Sequence, residues 1–350
     1  MADNEQVTYP RFLRRLRELA HSALGAYDIR NARLTFVNYS GNGIYRVDIR
    51  NEDRTEGPFV AGRYALRLHQ PDYMGPEQIR SEMEWLSALR REGIEVPEPV
   101  RNVEGDWLTC TKGDYVVPRQ RNCTLLRWVE GRMVKTGFRS AHFEAIGRMI
   151  GMLHRHAMSW KPPKGFVRRH WDWEGLYGDG SGFNVPGVDV RSSIPASYKD
   201  NFDCVTKRVQ EVLEQLGKRR KVYGLIHADI SVGANVLFHS GKSRPIDFDD
   251  CGYGYWIFDI AVPLAHYASD FHDTSPAIRE ALLNGYKEVQ DLPVFIEDYL
   301  DLFIAARYAQ EMAWAQAGVI ANPANAGGSR DWLKRAGHDL KRAMKLSGGC

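Results

Sequence analysis

The stretch IHADISVGANVLFHSGKSRPIDFDD, residues 226–250, places polar side chains at the ends of short apolar runs. One apolar run leads to Asp229, Asn235 opens a second run, and Asp247 lies between two apolar neighbours. Runs of this length predict short buried strands. Aspartate can ligate a metal ion or accept a proton, and asparagine can add an oxygen ligand, so this arrangement predicts a site of chemistry.

The segment PIDFDD predicts a pair of carboxylates suited to a metal ion. In an extended segment alternate side chains face opposite sides, so Asp247 and Asp249 would share the face opposite the core. Carboxylates about 6–7 Å apart at the backbone repel each other unless a cation lies between them. Mg²⁺ fits, with Asn235 as a neutral ligand, and Asp229 is left to orient or deprotonate a hydroxyl. The alternative is an acidic hairpin tip with solvated aspartates.

The composition is that of a soluble globular protein. The chain has 350 residues, which favours two domains or one large bilobal unit. Its net charge of +3 does not favour a nucleic-acid or membrane partner. Five scattered cysteines without CxxC spacing predict reduced thiols and a cytoplasmic location. No signal peptide or membrane span is predicted, because Asp259 and Pro263 interrupt the most apolar stretch.

The order of the elements predicts a β-rich first third followed by a helical remainder. Alternating apolar residues predict strands at 34–39, 45–49, 63–69, 114–118 and 123–129. Helical periodicity predicts helices at 10–26, 75–91, 140–158, 197–218, 256–270, 275–289, 295–318 and 330–345. The boundary falls near 125–131. The irregular segment 161–190 either covers a substrate or forms a packed surface loop.

The N-terminal third carries features that suit a nucleotide. A small residue, Ala65, and a cation, Arg67, share one face of a predicted strand, as an adenine ring with nearby phosphates would require. Glu82 falls within the apolar stripe of the following helix, and a buried carboxylate needs a partner, so an ion pair with Arg67 is predicted. The alternative places Glu82 at the margin of the stripe, reaching water. The turn at 40–43 either lays backbone amides over a phosphate or is an ordinary hairpin turn.

The chain resembles the kinase-like phosphotransferase superfamily, and within it the aminoglycoside phosphotransferase/choline kinase-like family. The resemblance is carried, in this order, by NYSGNGIYRV, SEMEWL, PEPV, LHRH, HAD, NVLF, IDFDDCGYGY and FDIA. It implies an α+β, bilobal, protein-kinase-like fold. Residues 1–125 would form the nucleotide-binding lobe and residues 126–350 the catalytic and substrate-binding lobe.

The resemblance also implies roles for residues of the second lobe. Asp229 matches the aspartate that accepts or orients the attacking hydroxyl, while Asn235 and Asp247 match the metal ligands. His227 resembles the histidine that braces this loop, and Asp259 the helix aspartate that ties the loop backbone in place. Asp249 is a further candidate for the metal or the substrate.

In the first lobe the implied roles concern the nucleotide. Glu82 matches the helix glutamate of the ion pair, with Arg67 as its cation. LLRWV resembles the hinge, so the backbone of Arg127, Trp128 and Val129 would read the adenine edge. The amides around Ser40, Gly41 and Gly43 would cover a phosphate.

Two departures from the family pattern stand out. Asp229 and Asn235 are six residues apart, where five is usual, which implies one extra residue within ISVGA that Gly233 can absorb. Arg67 stands where the pattern has lysine, and arginine keeps the charge and can bind phosphate through two nitrogens. Each departure weakens the implied catalytic activity more than the implied fold.

The function implied is a kinase that transfers the γ-phosphoryl group of ATP, with Mg²⁺, to a hydroxyl of a small molecule; GTP stays open as the donor. The acceptor would be aminoglycoside-like, an amino alcohol or a sugar, and the oligomeric state is left open. A cationic acceptor would need acidic partners, for which the candidates are Asp249, Asp250, Asp270, Glu297, Asp298 and Glu311. The alternatives are a nucleotide-binding pseudokinase or regulatory module, motivated by the longer loop and Arg67, and a protein Ser/Thr kinase. In LHRH, the two histidines face different directions on a helix, which favours a packed histidine over a zinc ligand.

Overall fold

The computed structural model describes residues 8–50, 60–114, 116–117, 120–178, 188–272, 275–323 and 326–346. The chain forms two compact units. Unit 1 comprises Met1–Glu130 with Pro162–Val167, and unit 2 comprises Gly131–Lys161 with Arg168–Cys350. Among the described helices, none is both long and apolar enough to cross a membrane.

Unit 1 is built on an antiparallel sheet. Its elements in chain order are α1 (Tyr9–Gly25), β1 (Arg33–Ser40), β2 (Asn42–Ile49), β3 (Gly62–Leu68), α2 (Pro76–Arg91), β4 (Pro99–Val100), β5 (Thr109–Thr111) and β6 (Arg121–Arg127). The strands are ordered β1-β2-β3-β6-β4, and β5 pairs with β6. The leucine face of α1 and the inner residues of β1 to β3 form one buried apolar cluster, as the alternating pattern predicts.

Unit 2 is mainly helical with two small sheets. Its helices are α3 (Ser140–Ser159), α4 (Trp173–Tyr177), α5 (Ala196–Leu216), α6 (Trp256–Phe271), α7 (Pro276–Lys287), α8 (Ile296–Ala321) and α9 (Gly327–Leu346). Its strands are β7 (Arg132–Met133), β8 (His170–Trp171), β9 (Tyr223–Ile226), β10 (Val236–His239), β11 (Lys242–Pro245) and β12 (Gly252–Tyr255). One sheet has the order β11-β10-β7 and the other β8-β12-β9. The loops after β9 and β11 carry the predicted site residues.

Two glycines allow α3 and α7 to pack at very short range. A Cβ atom on Gly147 would lie 1.9 Å from the carbonyl oxygen of Leu282, and one on Gly285 would lie 2.0 Å from that of Glu144. No side chain fits at either position without moving a helix. This contact fixes α3, whose far end carries a histidine of the site.

The predicted α+β class is confirmed, and the long helices predicted for unit 2 are present. Two predictions outside the site are wrong. The predicted strand at 114–118 has its described residues in a turn, because the carboxylate of Asp114 accepts hydrogen bonds from the amides of Val116 and Val117; residues 115 and 118 lie outside the described part. Cys204 is disulfide-bonded rather than reduced.

Candidate active site

The loop after β9 brings Asp229 and Asn235 together. The side-chain amide of Asn235 donates to the Asp229 carboxylate at 2.7 Å and to the Asp229 carbonyl at 3.0 Å. Gly233 has a φ of +81°, a left-handed conformation that glycine adopts without strain. The six-residue spacing is therefore compatible with direct contact between the two side chains.

Asp259 on α6 holds the backbone of this loop. Its fully buried carboxylate accepts hydrogen bonds from the amides of Ala228 at 2.7 Å and His227 at 3.1 Å. Ala228 has a φ of +68°, which costs a non-glycine residue about 1–3 kcal/mol. The bond to Asp259 stabilises this strained backbone one residue before Asp229.

His154 of LHRH completes this arrangement from α3. It is fully buried, with Nε2 at 3.0 Å from the Asp259 carboxylate and Nδ1 at 3.0 Å from the hydroxyl of Tyr286. It is the packed, hydrogen-bonded histidine that the sequence favoured over a zinc ligand. Three helices, α3, α6 and α7, thus meet at Asp259.

His227 links the two loops of the site. Its Nδ1 accepts from the amide of Asp229 at 3.3 Å, so the proton lies on Nε2, which is 3.1 Å from the carbonyl oxygen of Ile246. The amide of Ile246 donates to the carbonyl of Asn235 at 2.9 Å. Both contacts are made by the backbone of Ile246, so the residue directly before Asp247 is hydrogen-bonded to the loop that carries Asp229 and Asn235.

A cationic group from α8 contacts Asp229 and was not predicted. Nη2 of Arg307 lies 2.7 Å from Oδ1 of Asp229, and the hydroxyl of Ser231 donates to the same oxygen at 2.7 Å. His266 on α6 has Nε2 within 3.1 Å of Arg307 and 3.4 Å of the Glu311 carboxylate. The available signal is an arginine within the alanine-rich, largely buried helix α8, since such a charge needs a buried partner.

These neighbours set the protonation of the site. Burial by itself would raise the pKa of the Asp229 carboxyl, but the charge of Arg307 and the hydrogen bond from Ser231 lower its pKa below the ordinary value. Burial lowers the pKa of His266, against the opposing charge of Glu311. Asp229 is therefore ionised, and His266 favours the neutral form.

The segment around Asp247 differs from the extended conformation predicted. Strand β11 ends at Pro245, Asp247 is left-handed with a φ of +64°, and Phe248–Asp250 form a 3-10 turn. Asp247 is exposed and Asp249 buried, so the two carboxylates do not share one face of a strand.

Arg168 explains this turn. It is 3% exposed, and its guanidinium donates to the carbonyls of Cys251 at 2.6 Å and Asp249 at 2.5 Å. The indole of Trp171 donates to the carbonyl of Asp250 at 2.7 Å. Part of the irregular segment 161–190 therefore packs on the turn that follows Asp247; its residues 179–187 lie outside the described part.

The donor set of these loops suits a hard divalent ion. In the described residues no group of three His, Cys, Asp or Glu side chains could hold a metal by itself. Asn235 uses its amide nitrogen for Asp229, which leaves its oxygen for a ligand, and Asp247 offers an exposed carboxylate. Magnesium commonly takes one or two protein oxygens together with phosphate oxygens and water, so the residues fit that ion.

In unit 1 the ion pair predicted between Arg67 and Glu82 is present. Nη1 of Arg67 lies 2.9 Å and 3.2 Å from the two carboxylate oxygens of Glu82, with the side chains 4% and 0% exposed. Glu82 therefore faces inward and does not reach water. The pair fixes the cation at the centre of the sheet, on β3.

The predicted hinge and the predicted glycine turn have defined backbone contacts. The amide of Arg127 donates to Glu98 at 2.8 Å and that of Trp128 to Arg63 at 3.0 Å, whereas the amide of Val129 donates to no described residue. Ser40 ends β1, and Gly41 forms the turn with a φ of +86°.

The left-handed φ of Gly41 suits glycine, and packing is close both there and at Gly43, the second residue of β2. A Cβ on Gly41 would lie 2.2 Å from the side chain of Gln70, and one on Gly43 would lie 2.8 Å from Leu16.

The fold is that of the protein-kinase-like phosphotransferases. The family model of the phosphotransferase enzyme family (APH) matches residues 52–297. The amicoumacin kinase of Bacillus subtilis (strain 168) is 28% identical over 256 residues, which cover 68% of this chain and 70% of that protein.

Two solved structures resemble nearly the whole chain. A microcompartment-associated aminopropanol kinase has a TM-score of 0.77 at 27% identity and covers 95% of this chain and 98% of its own. The amicoumacin kinase hAmiN, in complex with AMP-PNP, Ca²⁺ and Ami, has a TM-score of 0.72 at 19% identity and covers 96% of each chain. The chain belongs to the phosphotransferase enzyme family. It is a kinase of the small-molecule type, an enzyme that transfers phosphate to a hydroxyl group.

Proposed function

We propose that this kinase transfers the γ-phosphoryl group of ATP, with Mg²⁺, to the hydroxyl of a small molecule that also carries an amine. The observation that carries the proposal is the contact between Asn235 and Asp229 at 2.7 Å. It joins the residue proposed to bind the metal to the one proposed to receive the hydroxyl, although the loop has an extra residue.

Asp229 is proposed as the catalytic residue. Its ionised carboxylate accepts a hydrogen bond from the acceptor hydroxyl and aligns the oxygen for attack on phosphorus. The new oxygen–phosphorus bond forms as the bond between the γ-phosphorus and the ADP oxygen breaks, and the hydroxyl proton passes to Asp229 and then to solvent. The lowered pKa of Asp229 supports a role in alignment more than in strong base catalysis.

Asn235 and Asp247 are proposed to hold the divalent ion. A bound ion would neutralise charge on the phosphate oxygens. Asp249 is not proposed as a ligand of the same ion, because its backbone turn buries it while Asp247 is exposed. His227 and Asp259 are proposed to keep the two loops in register through the backbone bonds described above.

Unit 1 is proposed to bind the nucleotide. Arg67, held by Glu82, is a cation for the phosphates, and the turn at Ser40, Gly41 and Gly43 offers backbone amides. For the adenine edge, the Val129 amide is the proposed donor, since the amides of Arg127 and Trp128 already donate within the unit.

The acceptor class rests on the relatives. One related structure is named an aminopropanol kinase and the curated relative an amicoumacin kinase. Three of the six acidic candidates already pair with an arginine: Glu311 with Arg307, Asp270 with Arg335 and Asp250 with Arg169. Among the acceptors open from the sequence, we therefore infer a small amino alcohol rather than an aminoglycoside.

The test is a panel of 1-amino-2-propanol, other amino alcohols, aminoglycosides and sugars, assayed for phosphate transfer from γ-labelled ATP and for product by ³¹P NMR. We expect transfer to an amino alcohol and a loss of about 10²–10⁴-fold in kcat for Asp229→Asn. Nucleotide binding without any transfer would favour a pseudokinase, and label in polypeptide would favour a protein kinase. Asp291→Asn, an exposed aspartate, is the matched control.

A further inference from the structure

Helix α8 buries a group of polar side chains that the assignments above leave without a role. Arg307, Gln310 and Glu311 are all buried in a helix that is otherwise rich in alanine and aromatic residues. Residues three and four apart lie on the same side of a helix. This buried polar group is directed at the loop that carries Asp229.

Every nitrogen of the Arg307 guanidinium contacts another residue of the protein. Nε donates to Glu311 at 3.0 Å, and Nη1 donates to Gln310 at 3.0 Å and to the carbonyl of Ala228 at 3.5 Å. Nη2 donates to Asp229 at 2.7 Å and approaches Nε2 of His266 at 3.1 Å. A guanidinium has five N–H donors in a fixed plane; four of them have acceptors within the protein, and the fifth faces the ring of His266. Arg307 therefore acts on other residues of the protein.

The oxygens of Asp229 show what Arg307 acts on. Oδ1 accepts from Arg307 and from Ser231, which occupies both of its lone pairs. Within the described residues, Oδ2 accepts from Asn235 alone. One lone pair, on Oδ2, is left for an incoming hydroxyl.

We propose that Arg307 is a positioning residue of the phosphotransfer reaction: it fixes the carboxylate of Asp229 so that Oδ2 alone is presented to the acceptor hydroxyl. This inference rests on the proposed function. Arg307 also contacts the carbonyl of Ala228, so it fixes the backbone and the carboxylate of adjacent residues with one rigid group. Lysine has a single ammonium and cannot occupy these positions together.

The test compares Arg307→Lys and Arg307→Ala with the wild type, using ATP and 1-amino-2-propanol. We expect kcat to fall about 100-fold or more in both, as for a misplaced reacting group. The KM for ATP should stay within about threefold. Millimolar guanidinium chloride should restore part of the kcat of Arg307→Ala and none of that of Arg307→Lys. Arg279→Met, which removes a surface arginine paired with Asp301, is the control for loss of an ion pair.

A wild-type kcat in Arg307→Lys would overturn the proposal. So would a loss of kcat in Arg307→Ala that guanidinium leaves unchanged and that follows a fall in Tm. If Arg307→Ala does not fold, the Arg307→Lys variant decides alone. A low kcat at the wild-type Tm supports the proposal, and a wild-type kcat overturns it.

If the wild type phosphorylates no compound of the panel, the proposed function fails. The positioning claim is then decided by a crystal structure of Arg307→Lys. A rotated Asp229 carboxylate supports the claim, and an unmoved one overturns it.

Discussion

Replacing Asp259 by asparagine tests how strongly the site depends on the buried carboxylate that holds the loop before Asp229. Asparagine keeps the shape of the side chain, and its oxygen can still accept from the amide of Ala228. Its NH₂ group would replace the oxygen that accepts from the amide of His227 at 3.1 Å. His154 can adapt by changing its tautomer, because Nε2 can accept when Nδ1 carries the proton.

The expected cost follows from these bonds. One buried amide, that of His227, loses its acceptor at a cost of about 1–3 kcal/mol, and the remaining bond loses its charge, at about 1 kcal/mol. The sum is about 3 kcal/mol of unfolding free energy. For a unit of this size such a loss lowers Tm by roughly 6–12 °C.

Differential scanning calorimetry measures the change, with Asp291→Asn at an exposed position as the chemically matched control. We also expect kcat to fall more than the KM for ATP rises, because the affected amides belong to the two residues before Asp229. A Tm within about 2 °C of the wild type would refute the reasoning, since it would mean that the buried bonds contribute below about 1 kcal/mol.

Three further predictions concern other parts of the molecule. Glu82→Gln removes the negative charge beside buried Arg67 and should cost about 3–5 kcal/mol in urea unfolding; a loss below about 1 kcal/mol would contradict the pairing. Burial lowers the pKa of His266, so the unfolded chain binds more protons near pH 6. The free energy of unfolding should therefore fall as pH drops from about 7 to 5. His266→Asn should make the Tm from thermal unfolding depend less on pH over this range; an unchanged dependence would contradict the prediction. Gly147→Ala should destabilise by about 3 kcal/mol, because its Cβ would overlap the carbonyl of Leu282. Helix propensity alone predicts that the alanine stabilises the protein by about 1 kcal/mol. The sign of the stability change measured by calorimetry therefore decides between close packing and helix propensity.

Much of the fold was predictable because its signals are local. Helical periodicity depends on residues three and four apart, and the long helices of unit 2 were placed within a few residues of their observed ends. The pair of Arg67 with Glu82 was predictable for a related reason: a carboxylate within an apolar stripe must find a nearby cation.

The errors arose where distant residues decide the local structure. PIDFDD alternates like a strand, but Arg168, some eighty residues earlier, binds the carbonyls of its turn. Arg307 lies 78 residues after Asp229, and no local pattern joins them. The turn at Asp114 is different, because its signal is local. An aspartate whose carboxylate can accept from the amides two and three residues later favours a turn, and here that preference outweighs the strand preference of the two valines.

The left-handed Gly233 has a consequence for how such enzymes diverge. Because Gly233 turns the chain through a left-handed conformation, the six-residue connection still brings Asp229 and Asn235 into contact, so a chain of this kind need not keep the usual interval. A search that demands a constant interval between these two side chains would overlook chains of this kind. Matching the pair by its hydrogen bond would find them.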